Sequence, residues 1–128
     1  MNSRDIGNAG EDMACAYLKK HGWKILGRNV RCGRNEIDII ASRHRLIDIL
    51  AGKRRLIAFI EVKRRKSSDY GRPSEAVNAE KQRRITRAAA LYLQQNNLSN
   101  MLVRFDVIEV LPDEIHHIEG AFDAPEGY

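Results

Sequence analysis

Two charged residues stand at the end of the most apolar stretch of the chain. Residues 56–63 (LIAFIEVK) are apolar up to Glu61, as is typical of a buried central strand. Side chains alternate between the faces of a strand, so Glu61 and Lys63 project from one face, about 6.6 Å apart. Asp38 lies in a second predicted strand, residues 36–41, and reaches the same charged end of the sheet if the two strands pair. Two carboxylates beside an ammonium group fit a site for Mg²⁺ or Mn²⁺, which prefer oxygen ligands.

Such a cluster has the groups that phosphodiester hydrolysis needs. The metal neutralises phosphate oxygens and lowers the pKa of a bound water, while the lysine orients or deprotonates that water or stabilises the developing charge. The alternative is a surface ion pair between Glu61 and Lys63, which is common at strand ends. The presence of Asp38 and of the basic residues Arg64, Arg65 and Lys66 favours the hydrolytic site.

Glu11 lies on the apolar stripe of a first predicted helix, residues 8–20. Two interpretations remain open. Glu11 reaches a site at the helix end, or it serves the helix itself, because Asn8 as N-cap places Glu11 at N3, where it favours the positive helix terminus.

Lys81 lies on the apolar stripe of a second, longer helix, predicted to open at Pro73 and to end near Asn96. Its side chain either follows the apolar face to water, the usual outcome, or reaches a phosphate from beneath the site. Arg84 lies on another face of that helix, where it either follows a nucleic-acid backbone or is simply solvated.

The charge of the chain is unevenly distributed. Residues 1–66 carry 16 Lys and Arg against 7 Asp and Glu, a net of +9, while residues 67–128 carry 6 against 10, a net of −4. A local positive surplus favours a polyanion, most often nucleic acid. The alternatives are a merely basic domain, or pairing of the acidic C-terminal segment with basic residues of another subunit.

The predicted elements follow the order α, β, β, β, long α, β, β, which indicates a single α/β domain over residues 1–128 with a mixed sheet covered by helices. Alternation over residues 36–41 places Ile37 and Ile39 on one face. Residues 46–50 are predicted as an additional strand.

Several classes of protein are poorly supported. No GxxxxGK[ST] or GxGxxG sequence is present, and no apolar run approaches the ~18 residues of a membrane span. The first ten residues lack the apolar core of a secretory signal. Only two cysteines, Cys15 and Cys32, are present, which excludes a disulfide framework within one chain. A cytoplasmic protein without a membrane partner is expected.

The order and spacing of these residues resemble a known pattern. Asp38 followed by Glu61-Val62-Lys63, with an early helical Glu11, resembles the PD-(D/E)xK nuclease signature. The chain more closely resembles the YraN-type family of predicted bacterial endonucleases, related to archaeal Holliday junction resolvases. The resemblance covers nearly the whole chain and is carried by residues 7–11, 14, 17–18, 22–29, 36–41, 59–65, 76–77, 81 and 104–107.

The resemblance implies a restriction-endonuclease-like core of three layers, α/β/α. In that core Glu11, Asp38 and Glu61 would serve the metal and Lys63 would act on the water. The implied substrate is DNA, on branched or single-stranded structures. Resolvases cut two strands symmetrically, which implies a homodimer. A nucleic-acid-binding module that keeps the fold without catalysis is the alternative.

The sequence departs from the family pattern at two places. Asn35 stands where a glycine usually precedes Glu-Ile-Asp, and Asn is the residue that best tolerates a left-handed turn after Gly. Residues 42–55 form a longer connection than expected and are rich in Arg and Lys. They are predicted to form an inserted hairpin that touches DNA; alternatively, they shift Asp38 relative to Glu61 and disable the metal site.

Overall fold

The fold is built on a five-stranded mixed sheet. The computed structural model describes residues 3–66 and 77–124. The elements in chain order are α1 (Ser3–Lys20), β1 (Lys24–Cys32), β2 (Asn35–Arg43), α2 (Leu46–Leu50), β3 (Leu56–Arg64), α3 (Ala79–Gln95), β4 (Leu102–Val110) and β5 (Ile115–Phe122). The strands lie in the order β1-β2-β3-β4-β5, and every neighbouring pair is antiparallel except β3 with β4. The parallel pair needs a crossover connection, and α3 lies within it.

Two hydrophobic cores lie on opposite faces of this sheet. Ala14 and Leu18 of α1 pack with Ile60 in one core, and Ile85 and Ala88 of α3 pack with other strand residues in the second. The faces are hereafter called the α1 face and the α3 face. This arrangement confirms the predicted α/β fold with three layers, α/β/α, and a mixed central sheet.

The central position of β3 explains its apolar sequence. Residues Ile57, Ala58, Phe59 and Ile60 are all buried, because β3 has neighbouring strands on both edges and helices on both faces. Glu61 follows them and is still buried, whereas Lys63 and Arg64 lie where the strand leaves this cover. The end of β3 is therefore the place where the sheet presents polar groups.

Both long helices begin elsewhere than predicted. The first starts at Ser3 rather than at Asn8, so Asn8 lies inside it. The second starts at Ala79, because the side chain of Asn78 accepts the backbone N–H of Lys81 at 2.8 Å and caps the first turn. Pro73, the predicted start, lies outside the described residues.

The prediction of an extra strand at residues 46–50, within an inserted hairpin at 42–55, is wrong. These residues form the short helix α2. Its first turn is stabilised by Asp48, whose Oδ2 accepts the backbone N–H of Arg45 at 3.0 Å and its Nε–H at 3.1 Å. This spacing of three residues is a helix-start pattern, which overrides the strand preference of the isoleucines.

The aliphatic side chains of α2 face solvent. Leu46, Ile47, Ile49 and Leu50 are 70%, 67%, 53% and 78% exposed, respectively. None of them contributes to either core, so α2 is not held by burial against the domain. Among the described helices, none has the length and apolar character needed to cross a bilayer.

Candidate functional site

Asp38 lies where β2 separates from β3. The register between the two strands runs from Arg43↔Leu56 to Ile39↔Ile60 and stops there. Beyond that point the Oδ2 atom of Asp38 accepts the backbone N–H of Val62 at 2.8 Å. The carboxylate therefore takes the place of a backbone acceptor and is held at the open end of the strand pair.

The separation of the strands also changes which way the isoleucines point. Ile37 packs in the core on the α3 face, whereas Ile39 packs in the core on the α1 face. The prediction that the two share a face is wrong, because regular alternation does not hold where the pairing with β3 ends. Both side chains are buried in spite of this irregularity.

Glu61 is the most enclosed acid of the site, with 5% of its side chain exposed. Its Oε1 atom lies 3.5 Å from Nζ of Lys63 and 3.4 Å from Nζ of Lys81. Its Oε2 atom is buried and accepts no hydrogen bond from the residues that the structure describes. A buried carboxylate oxygen without a donor is costly, which makes this atom a natural ligand for a cation.

The carboxyl groups of Asp38 and Glu61 interact directly. Burial, followed by the charge of Glu61, raises the pKa of Asp38 from 3.8 to about 7, and the Val62 N–H opposes that rise. A further side-chain interaction with Glu61 and the charge of Glu11 raise it more. Two acids that share a site cannot both ionise easily, and a divalent cation relieves that conflict.

Glu11 is held towards this pair from α1. Since the helix begins at Ser3, Glu11 is not at N3, and the capping interpretation is wrong. Its Oε2 atom accepts the Nδ2–H of Asn29 at 2.8 Å and lies 3.8 Å from a guanidinium nitrogen of Arg28. Asn29 adopts a positive φ of 50° in β1.

Lys81 lies in the first turn of α3, and its ammonium group contacts the site instead of extending only into solvent. Its ion pair with Glu61 joins the start of α3 to the end of β3. Lys81 also lines a cavity of about 150 Å³ together with Arg34 and Arg84. Arg84 itself pairs with Glu80 one turn earlier.

The basic residues that follow Lys63 line one cavity on the α1 face but differ in their contacts. Arg64 points to the α1 face, where its Cδ lies 4.0 Å from the position that a Cβ on Gly10 would occupy. Arg65 forms an ion pair with the buried Glu109 of β4. Lys66 is exposed. The structure thus brings Asp38, Glu61, Lys63 and Lys81 into contact, while Glu11 acts on Asp38 only through its charge.

The long connection between β2 and β3 lies at the other end of these strands from Asp38 and Glu61. It begins at Arg43, which pairs with Leu56 at the end of the strands away from Asp38 and Glu61. Asn35 begins β2 opposite Cys32, and the positive φ of this turn, 63°, belongs to Gly33. Asn35 does not adopt a left-handed conformation in this structure, so this turn does not require a glycine at position 35.

A buried polar network was not predicted from the sequence. Asp106 of β4 is fully buried and accepts hydrogen bonds from Arg104, from His117 at 2.7 Å and from the N–H of Gly120 at 3.0 Å. Burial alone would raise the pKa of Asp106, but these hydrogen bonds outweigh it and lower the pKa. The spacing Arg104-x-Asp106 signals a shared face, whereas the partner from β5 depends on a register that sequence does not reveal.

Within residues 3–66 and 77–124, no group of three or more His, Cys, Asp or Glu side chains is close enough to form a complete metal site. The pair Asp38 and Glu61 nevertheless suits a hard cation that keeps several waters, because Mg²⁺ is usually held by only one or two carboxylates. The chemistry of the donors and the unpartnered Oε2 atom of Glu61 both fit such an ion.

Fold and site together define an α/β/α domain with a buried carboxylate pair and two lysines at the open end of its central strands.

The model of the uncharacterised protein family UPF0102 matches residues 10–110. A UPF0102 protein of Caldicellulosiruptor saccharolyticus is 44% identical over 110 residues, covering 86% of this chain and 85% of the relative. One from Syntrophotalea carbinolica is 44% identical over 122 residues, covering 92% and 91%. One from Myxococcus xanthus is 38% identical over 125 residues, covering 94% and 91%. The chain belongs to the UPF0102 family.

Proposed function

We propose that this protein is a metal-dependent endonuclease that hydrolyses phosphodiester bonds of DNA. The observation that carries the proposal is Glu61: it is buried beside Asp38, two lysine ammonium groups contact one of its oxygens, and the other oxygen has no donor. A second acid with a pKa raised to about 7, Asp38, lies beside this ion pair, and strongly perturbed acids cluster at functional sites.

Asp38 and Glu61 would hold Mg²⁺ or Mn²⁺, with Glu11 adding negative charge from α1. When bound, the ion would polarise the phosphate and make a bound water more acidic. Lys63, partly exposed at the end of β3, would orient the attacking water or take its proton. Lys81 would neutralise charge that develops on the phosphate oxygens.

The basic residues around the site support a nucleic-acid partner. Arg34, Lys81 and Arg84 line one cavity on the α3 side, and Arg64 and Lys66 lie at the end of β3. A polyanion that crosses the end of the sheet would meet cations on both faces. Two buried cysteines without a disulfide suit a reducing compartment, so we place the protein in the cytoplasm.

One observation favours a second candidate, a nucleic-acid-binding module without catalysis. The two lysines already compensate Glu61 without any metal. If they hold that role permanently, the site is a structural ion cluster, and nucleic-acid binding would depend on salt but not on metal.

The deciding experiment measures cleavage of labelled single-stranded, duplex, flap and four-way-junction DNA in Mn²⁺. Asp38→Asn is run in parallel with Asp113→Asn, which alters an exposed acid in the turn after β4. We expect the wild type and Asp113→Asn to cleave, and Asp38→Asn to lose roughly 100-fold or more in rate.

Cleavage that Asp38→Asn retains would place the chemistry elsewhere and refute the proposed site. Absence of cleavage, with salt-sensitive binding in all three proteins and no effect of a chelator, would establish the binding module instead.

A further inference from the structure

A cavity of about 650 Å³ lies beside the candidate site, on the α1 face. Its apolar lining includes Met13 of α1 and Leu111 and Pro112, which follow β4. Its basic lining is formed by Arg64, Arg65 and Lys66. The volume falls within the usual range for sites that bind small molecules or parts of larger ones.

The cavity and the carboxylates flank the same strand end. Glu61 and Lys63 lie on the α3 face of β3, where they meet Lys81, whereas Arg64 lies on the α1 face beside Gly10. Lys63 and Arg64 are consecutive residues, so the site and the cavity lie on the two faces of the same strand end. A polymer that passes over the end of β3 therefore contacts both.

The two kinds of lining match the two parts of a nucleotide. Arg65 is already paired with Glu109, so the charges that suit a phosphate group are those of Arg64 and Lys66. The side chains of Met13, Leu111 and Pro112 offer apolar contacts to the faces of a base. In a continuous duplex the bases are stacked and paired, and they cannot enter a cavity without leaving the helix. Only an unpaired nucleotide can place its base there at low cost.

We infer that this cavity holds the base of an unpaired nucleotide next to the phosphate at the carboxylates. The substrate is then a single strand or a branch with unpaired nucleotides, rather than continuous duplex. The inference rests on the proposed function for the meaning of the neighbouring phosphate, but it concerns binding and is tested without cleavage.

The experiment uses Asp38→Asn protein in a chelator, so that nothing is cut. Binding of a single-stranded oligonucleotide with 2-aminopurine is compared with binding of the same strand in a duplex. Met13→Glu adds a negative charge to the cavity lining, which disfavours an apolar contact with a base and repels a phosphate. Val103→Glu is the matched control, since Val103 is also exposed and apolar but lies outside this cavity.

We expect the parent to bind the single strand more tightly than the duplex. Met13→Glu should weaken single-strand binding by about tenfold relative to Val103→Glu and abolish the 2-aminopurine signal of an unstacked base. Met13→Ala, which adds no charge, should weaken it by a smaller factor, and circular dichroism verifies that each variant folds.

Equal affinity for single strand and duplex, or equal effects of Met13→Glu and Val103→Glu, would overturn the inference. If the wild-type protein fails to cleave in Mn²⁺ while the selective effect of Met13→Glu persists, the proposed hydrolysis is refuted and the cavity assignment stands.

Discussion

At the scale of single residues, Asp38 has two tasks that oppose each other. Its carboxylate accepts a hydrogen bond from the Val62 N–H, beyond the last residue pair of β2 and β3. The same carboxylate lies beside the buried Glu61. The first task favours the ionised form and the second disfavours it, and the net result is a pKa of about 7. A substitution to alanine would remove the acceptor as well as the charge, so asparagine is the informative change.

In the absence of metal, we expect Asp38→Asn to be more stable than the wild type at pH 8. The pKa of Asp38 rises from 3.8 to about 7 on folding, so the folded protein binds more protons between these values. Its stability therefore falls as pH rises through that window, and the penalty is complete above pH 7. Removing it should raise the free energy of unfolding by about 1–3 kcal/mol.

Urea denaturation in a chelator at pH 8 and at pH 4 measures this difference. The advantage of Asp38→Asn should largely vanish at pH 4, where Asp38 is protonated in the folded protein and carries no buried charge. A variant less stable than the wild type at pH 8 would show that Asp38 ionises without strain in the folded protein.

At the scale of secondary-structure elements, the start of α3 positions the site. The Asn78 side chain caps the first turn, and Lys81, three residues on, extends from that turn to Glu61. The helix start and the lysine are thus joined by one short segment. The hydrogen bond of the Asn78 cap therefore also restrains the position of Lys81.

We expect Asn78→Ala to lower the free energy of unfolding by about 1 kcal/mol, because the Lys81 N–H loses its acceptor. Thermal or urea denaturation measures the loss. Asn78→Asp keeps an acceptor at the same place and should restore most of the stability. If the aspartate variant is no better than the alanine variant, the cap is not what stabilises this turn.

The elements differ in how far the sequence predicts them. The central strand β3 and the pairing of Glu61 with Lys63 follow from burial and alternation alone. The helix starts do not, since several polar residues near each end can serve as caps. Four aliphatic residues in five make α2 look like a strand, and only the local contacts of Asp48 decide otherwise. The partners of Glu11 and Asp106 depend on strand registers with irregularities, which sequence patterns do not reveal.

At the scale of the whole molecule, the aliphatic side chains of α2 form an exposed apolar surface. Contiguous apolar patches of this kind commonly mark interfaces. The segment 43–55 around α2 carries five Arg and Lys against one acid. Residues 105–124 carry no Lys or Arg, and besides the buried and paired Asp106 and Glu109 they expose four acids, Asp113, Glu114, Glu119 and Asp123. The two segments have opposite charges. In a pair of copies, the basic segment of one can face the acidic segment of the other.

We therefore expect the protein to dimerise through α2, with the basic segment of each copy near the acidic C-terminal strands of the other. Sedimentation velocity at high micromolar concentration should show a dimer that dissociates in high salt. The double change Ile47→Glu and Leu50→Glu should give a monomer, and Met13→Glu, an exposed apolar position elsewhere, should not. A monomeric wild type would refute this assembly.

The α2 helix and the carboxylates lie at opposite ends of the same two strands, since five residues separate Asp38 from Arg43 along β2. At ~3.3 Å per residue the gap is about 17 Å within one copy. In a pair joined through α2, the two centres would point outwards and stand roughly twice that distance apart or more. Such a particle would act as a bridge, making independent nicks at distant points of a folded polymer or tethering two segments, instead of cutting both strands at a single crossover.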